Sequence, residues 1–442
     1  MKFQSAESKS VPGRAGSLAL LVTALVSLGV VVAPQRVTAG PARCLGEPAT
    51  LAGSSSDDTL VGTSEPDVIL GRGGDDKILG KGGNDRLCGG TGADAVEGNS
   101  GSDRATGNRG SDLIHGHGGD DRLKGGRGPD TVDGDRGFNG LSGGRGDDDM
   151  NAVEGSGLFR GGLGGDSMFG GDRADRLFGG RGRDDLYGAG GDDRLEGGRR
   201  RDRLYGDAED FLAGRDRISG GRGPDLLNGY LKADTLSGNR GKDLLVGEEG
   251  NDTIRGGEDG DRIYGTAESA VGPDIAYKHD TDFLFGEEGS DTIYGGQKAD
   301  VMRGGNGLDF LDGGLGSDEL FGGHGTDEMQ GEFGNDFLGL NAKGLPADRG
   351  PDLMTGGPGR DLVSGGPGLD SLYGSDGPDT LNGNRGDDIL EGNGQADFCD
   401  GGRGEDECRG GPPGPEDEED VCVRCEATTG CAPPPGTGGV RI

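Results

Sequence analysis

The residues of this chain that could do chemistry are aspartates, and they recur with a fixed period. One stands at every ninth position from Asp58 through Asp67, Asp76, Asp85, Asp94, Asp103, Asp112 and Asp121 to Asp130, and two positions after each is an apolar residue or Ala. The series lapses at Asn139 and Gly157, and otherwise continues through Asp148, Asp166, Asp175, Asp184, Asp193 and Asp202. After a break it runs through Asp225, Asp234, Asp243, Asp252 and Asp261, then Asp291, Asp300, Asp309, Asp318, Asp327 and Asp336, then Asp361, Asp370, Asp379, Asp388, Asp397 and Asp406. Carboxylates at a fixed spacing are hard oxygen donors, the ligand type of Ca²⁺, whereas Mg²⁺ demands a compact octahedron and sheds water reluctantly. Calcium is therefore the expected cofactor, with these Asp residues as its ligands. Turn chemistry alone also favours Asp and Gly, but it does not require Asp at one fixed position.

The elements that must position these carboxylates follow from the rest of the repeat. The unit reads G-G-x-G-x-D-x-U-x with U apolar, as in Gly89-Gly90-Thr91-Gly92-Ala93-Asp94-Ala95-Val96-Glu97 and Gly313-Gly314-Leu315-Gly316-Ser317-Asp318-Glu319-Leu320-Phe321. The three residues x-U-x suit a short strand whose middle side chain points inward, and the glycines suit a turn. Two units complete one coil, and coils stack at roughly the 4.8 Å strand spacing, so Asp residues two units apart superpose. Bare carboxylates so placed would repel and raise one another's pKa, and a cation between turns would cancel that repulsion. One edge would carry Asp58, Asp76, Asp94 and their successors, and the other Asp67, Asp85, Asp103 and Asp121. On the second edge Asn139 and Gly157 predict weak or missing calcium, while Leu141 and Phe159 keep the core position filled.

Composition alone would suggest disorder: of 442 residues 103 are Gly, 29% are hydrophobic, none is Trp, and the formal charge is -35. So little apolar surface cannot offset chain entropy unless coil stacks on coil. Such acidity also excludes nucleic acid as a partner, since its phosphates would be repelled.

On these repeats the chain resembles the RTX, or hemolysin-type, calcium-binding proteins. The resemblance covers about 53–409 and implies an all-β fold, a right-handed parallel β-roll with short capping segments, in which the Asp side chains and turn carbonyls hold calcium. It specifies calcium far better than biological role.

Residues 1–39 read as a secretory signal peptide, with Lys2, Lys9 and Arg14 ahead of an uncharged apolar run and Val37-Thr38-Ala39 before the cut. An uncleaved anchor is the alternative; after cleavage no membrane span is expected. This leader argues against the type I export usual in the family. A cap over 40–52 precedes the roll, which has phase breaks near 206–219, 266–281 and 340–351. The first break reads as two shortened units with Asp210 and Asp216. A Pro-rich, acidic linker and a Cys-containing tail occupy 410–442. Export places the chain in a secreted, extracellular or cell-surface setting where disulfides persist. Cys44 and Cys88 are expected to pair, and at least one disulfide is expected among Cys399, Cys408, Cys422, Cys425 and Cys431, with one thiol left over.

Catalysis finds little support: His115, His117, His279 and His324 belong to no H-E-x-x-H motif, and no G-x-S-x-G elbow is present. We expect no enzyme. His115 and His117 read either as solvated turn residues or as part of a transition-metal site. Tyr187, Tyr205, Tyr264, Tyr294 and Tyr373 follow the core residue and should face outward, either in ordinary cross-strand contacts or for carbohydrate adhesion. Arg residues such as Arg122 and Arg176 read as charge balance for Asp, with a polyanion-binding stripe as the lesser alternative. The function so read is a calcium-dependent structural or adhesive surface protein whose further partner is a cell-surface polymer or carbohydrate. The alternative is the repeat portion of a toxin-like or enzyme-associated RTX protein.

Overall fold

The computed structural model describes residues 42–152, 154–207, 213–266, 281–339, 350–411, 420–429 and 431–432. The segment 1–39 expected as a signal peptide, Asp210, His279 and most of the expected linker lie outside them. Among the described residues there is no helix, and the strands are short, most of them three to eight residues. Apart from one antiparallel pair, Arg43–Cys44 with Glu47–Pro48, every strand pairing is parallel.

The strands form two stacks. Sheet 1 takes one strand from each coil, beginning Thr59–Val61, Lys77–Gly82, Ala95–Ser100 and Leu113–Gly118. Sheet 2 takes the other, beginning Leu51–Ala52, Val68–Gly73, Arg86–Thr91 and Arg104–Arg109. Register advances by one coil at each step, so that Ile78, Val96 and Ile114 are directly opposed in sheet 1 and Ile69, Leu87 and Ala105 in sheet 2. The arrangement is a parallel β-solenoid.

Its core is one apolar residue per unit. Ile69, Ile78, Leu87, Val96 and Ile114 are fully buried, and the row continues to Leu381, Leu390, Cys399 and Cys408. Each unit alone has too little apolar surface to fold; a neighbouring coil on each side makes the core continuous. The turn glycines are dictated by that stacking. Gly101 has φ +125, and a Cβ there would overlap the carbonyl oxygen of Gly83 in the preceding coil. Any side chain at this position would force neighbouring coils apart.

The phase breaks are single insertions, and the coils on either side remain in register. Arg194–Arg199 pairs with Arg217–Arg222 and Thr253–Glu258 with Phe283–Glu288, with the core residues opposed in both cases. At the first break Asp216 takes the regular Asp position, while Asp210 lies outside the described residues.

Disulfides tie both ends. Cys44 bonds Cys88 across a sequence separation of 44, fixing the antiparallel pair to the third strand of sheet 2, Arg86–Thr91. Cys408 bonds Cys425, Cys422 is also disulfide-bonded, and Cys399 is the free thiol, fully buried. Burial, together with the charges of Asp397, Asp420 and Asp379, pushes that thiol up to about 12.

Candidate metal ladders

Each Asp closes its turn with both of its backbone groups and one side-chain oxygen. The N–H of Asp76 donates to Oδ1 of Asp94 at 2.9 Å, and that of Asp94 to Oδ1 of Asp112 at 2.9 Å. The carbonyl of Asp76 accepts from Ala95 one coil on, at 2.8 Å. Asp is the residue that fits: its short arm reaches one coil back, and its two oxygens can serve two purposes.

On the first edge this ladder runs without a gap from Asp58 to Asp406. It steps over the insertions from Asp202 to Asp225, from Asp261 to Asp291 and from Asp327 to Asp352, and ends where Asp406 donates to Glu426 Oε2 at 2.8 Å. On the second edge it runs from Asp67 to Asp121, resumes at Asp175, and continues through Asp216 and Asp282 to Asp420. All of the sequence-expected Asp residues fall on these two ladders. Five members were not among them: Asp216, Asp282, Asp352, Asp420 and Glu426. The first four carry the signal of an apolar residue two positions on (Ile218, Leu284, Met354, Cys422), and Asp216, Asp282 and Asp352 stand nine residues before Asp225, Asp291 and Asp361, so the sequence marks Asp282 and Asp352 as the points where phase resumes. Glu426 has no such signal.

The second carboxylate oxygen is what points to a cation. Along most of both ladders, as in Asp76, Asp94, Asp112, Asp193 and Asp397, Oδ2 is buried with no hydrogen-bond partner. A buried carboxylate oxygen left without a donor is costly unless a cation meets it. These oxygens converge with backbone carbonyls beside the first glycine of the unit. A Cβ on Gly179 would lie 2.5 Å from Asp184 Oδ2 and 2.6 Å from the carbonyl oxygen of Gly197. On Gly383 it would lie 2.5 Å from Asp388 Oδ2 and 2.6 Å from the carbonyl oxygen of Gly401. No side chain fits in such a cradle of anionic and carbonyl oxygens, the donor set of calcium.

The electrostatics agree. Burial, aided by the charges of Asp112 and Asp75 and opposed by the backbone hydrogen bond, pushes Asp94 up to about 6. Burial and the charges of Asp216, Asp175 and Asp207 take Asp193 to about 9, and Asp234 likewise reaches about 9. Metal-free, the ladders hold carboxylates that resist ionisation; a divalent ion removes that penalty.

The lapses are local. Asn139 Oδ1 still accepts from Asp121 N–H at 3.0 Å, but the atom in place of Oδ2 is the amide Nδ2, a donor that cannot ligate a cation. Gly157 donates its N–H to Asp175 Oδ1 and offers no side chain at all. A Cβ there would lie 2.8 Å from Phe159 Cε2, so an aromatic ring stands under this turn.

Outside the ladders, His115 lies 3.8 Å from Asp133 Oδ2 and His117 Nδ1 lies 3.1 Å from Asp135 Oδ2, with the two rings stacked at 5.6 Å. Ligand atoms of His115, Asp133 and Asp135 fall within 4.8 Å of one another on the outer face of sheet 1. Tyr187 and Tyr205 stack at 4.9 Å, and Tyr264 and Tyr294 at 5.0 Å, on the same face.

A parallel solenoid with stacked acidic turns is a repeat protein built to hold cations along its edges. The model of the RTX calcium-binding nonapeptide repeat matches in successive segments from residue 52 to residue 408, interrupted at 269–279 and 339–346, where insertions fall. The chain belongs to this family, which implies that it binds calcium. No curated protein gives a match to the chain.

Proposed function

We propose that this chain is an exported, non-enzymatic calcium-binding roll whose ions are structural, serving outside the cell as a spacer, adhesin or matrix component. The ligands are the ladder Asp side chains, through Oδ2, and the carbonyls of the first glycines. The observation that carries this reading is the row of buried Oδ2 atoms without donors, of which those of Asp184, Asp193 and Asp388 lie beside a backbone carbonyl of the next coil. Bound calcium supplies positive charge between turns; the chain supplies the spacing, the dry surroundings and the hydrogen bond that orients each carboxylate. The Cys44–Cys88 and Cys408–Cys425 bonds support the extracellular part of this reading, because disulfides persist in oxidising compartments.

The test is to express the chain with its own leader in an export-competent cell, fractionate, and count bound calcium on the exported material by atomic emission. Recovery outside the cell with many ions per chain is expected. Retention inside the cell, or exported protein holding only a few ions, overturns the proposal.

A further inference from the structure

The two outer faces of the solenoid differ in charge. On sheet 2, register aligns Arg127, Arg145, Arg181, Arg199, Arg222 and Arg240 into one column, interrupted only by Leu163. A second column on the same face contains Arg104, Arg122, Arg176, Arg194 and Arg217. The matching face of sheet 1 carries Asp133, Asp149, Asp185 and the stacked Tyr187 and Tyr205 instead.

Charge balance does not explain these columns. Among the described residues only Arg194 and Arg240 of the two columns make an ion pair, with Glu196 and Glu258. The others are exposed. Like charges opposed on adjacent strands are destabilising, so the columns cost stability that the fold itself does not recover. The space between the guanidinium groups is also shaped. A groove of about 900 Å³ is lined by Leu163, Arg181, Arg183, Arg199 and Arg200 together with Asp147, and a neighbouring one of about 750 Å³ by Arg199, Arg222 and Arg240, with Glu258, Glu287 and Glu288 at the end beyond Arg240.

We propose that this face of sheet 2, from Arg104 to Arg240, is a binding track for a linear anionic polysaccharide lying along the solenoid axis. The inference rests on the calcium-held roll, because the columns exist only when coils stack. Cationic forks repeated at roughly the 4.8 Å strand spacing suit carboxylates or sulfates repeated along an extended sugar chain, each of which a guanidinium can hold with two hydrogen bonds. Duplex nucleic acid winds its phosphates around an axis and cannot follow a straight column. Single-stranded nucleic acid is held by aromatic side chains interleaved with the charges. Here the positions between the columns are Thr106, Lys124, Ser142, Arg160, Phe178 and Glu196, with one aromatic among them. Nor does the acidity of the chain oppose this partner once calcium is bound: about 18 divalent ions cancel a formal charge of -35, and the ladders contain more Asp than that.

The experiment measures binding of the full-length, calcium-loaded protein to immobilised heparin, with poly(dT) in parallel and circular dichroism on every sample. The track variant is R181Q/R199Q/R222Q. The control is R203Q/R262Q/R409Q, which removes the same charge from sheet 1. Saturable heparin binding by the parent, about tenfold or more weaker in the track variant and within about twofold in the control, is expected. A parent that shows the β signal in calcium yet does not bind heparin overturns the track and leaves the calcium roll standing. Equal losses in both variants, or tighter binding to poly(dT) than to heparin, also overturn it. Absence of the β signal in calcium strikes instead at the proposed function, and the track falls with it.

Discussion

Along the edge that starts at Asp58, every turn passes a backbone N–H to a carboxylate in the next coil, down to Glu426. The opposite edge lacks the carboxylate at Asn139 and Gly157, and no side chain there accepts the N–H of Asn139, so the coils are held by other means. The strands lengthen, to Phe138–Arg145 and Ser156–Leu163, so that main-chain pairing runs through the turn itself, opposing Phe138 to Ser156 and Asn139 to Gly157. Under Gly157 lies Phe159, fully buried and the one aromatic in the core row among the described residues. Two neighbouring coils are thus joined at the turn by the Asp hydrogen bond, where the proposed calcium would sit, or by two extra strand pairs and a ring. On the proposed function the first solution depends on calcium concentration. The second does not.

The largest expected effect comes from cutting the continuous ladder. D94A/D112A removes ligands from adjacent rungs and leaves Asp76 N–H and Asp94 N–H without their acceptors; each such loss costs about 1–3 kcal/mol. D121A/D175A makes the same chemical change on the two sides of the lapse. The calcium concentration at the folding midpoint should rise markedly more for the first pair, and equal shifts would break the comparison. Next in size is F159A, which opens a cavity where no cation compensates and should cost about 3–5 kcal/mol. Saturating calcium should not restore it. Hydrogen exchange should localise the loss to 138–145 and 156–163, and protection unchanged there would show that the ring does not replace the metal.

Protonation should partly imitate calcium. The folded, metal-free roll holds Asp94 at about 6 and Asp193 and Asp234 at about 9, all above the ordinary 3.8. A carboxyl whose pKa is higher when folded favours folding while protonated. That contribution is fully present below the ordinary value and is lost as pH rises through about 6 and then 9. In chelator, β content should therefore rise between pH 8 and pH 4; more structure at pH 8 than at pH 4 would contradict the ladder electrostatics. With calcium the sign reverses, because protons compete for Oδ2. The smallest effect is a gain: N139D replaces the amide donor with an oxygen and should add about one bound ion per chain, read by isothermal titration. An unchanged stoichiometry would place the cause of the lapse in Gly157 and Phe159 rather than in Asn139.

The nine-residue period was enough to read the coil, the core row and the alternation of Asp between two edges, because each is a local consequence of one repeated unit. What it could not convey lies across coils. That Asp193 pairs with Asp216, Asp252 with Asp282 and Asp327 with Asp352 across the insertions follows the stack and not the residue count. Phe159 reads as an ordinary core residue until the turn above it is seen to lack a side chain. His115, Asp133 and Asp135 meet because successive coils bring them together, and the arginine columns read as charge balance until register shows that few have a carboxylate within reach.

The central claim is that calcium, through the Oδ2 ladders, holds the coils together. Far-ultraviolet circular dichroism of the chain, taken from chelator through millimolar calcium, tests it most directly. The account predicts a largely unordered spectrum in chelator that converts cooperatively to β structure as calcium is added. Equal β content in chelator and in calcium at neutral pH would contradict it and leave the aspartates as turn formers alone.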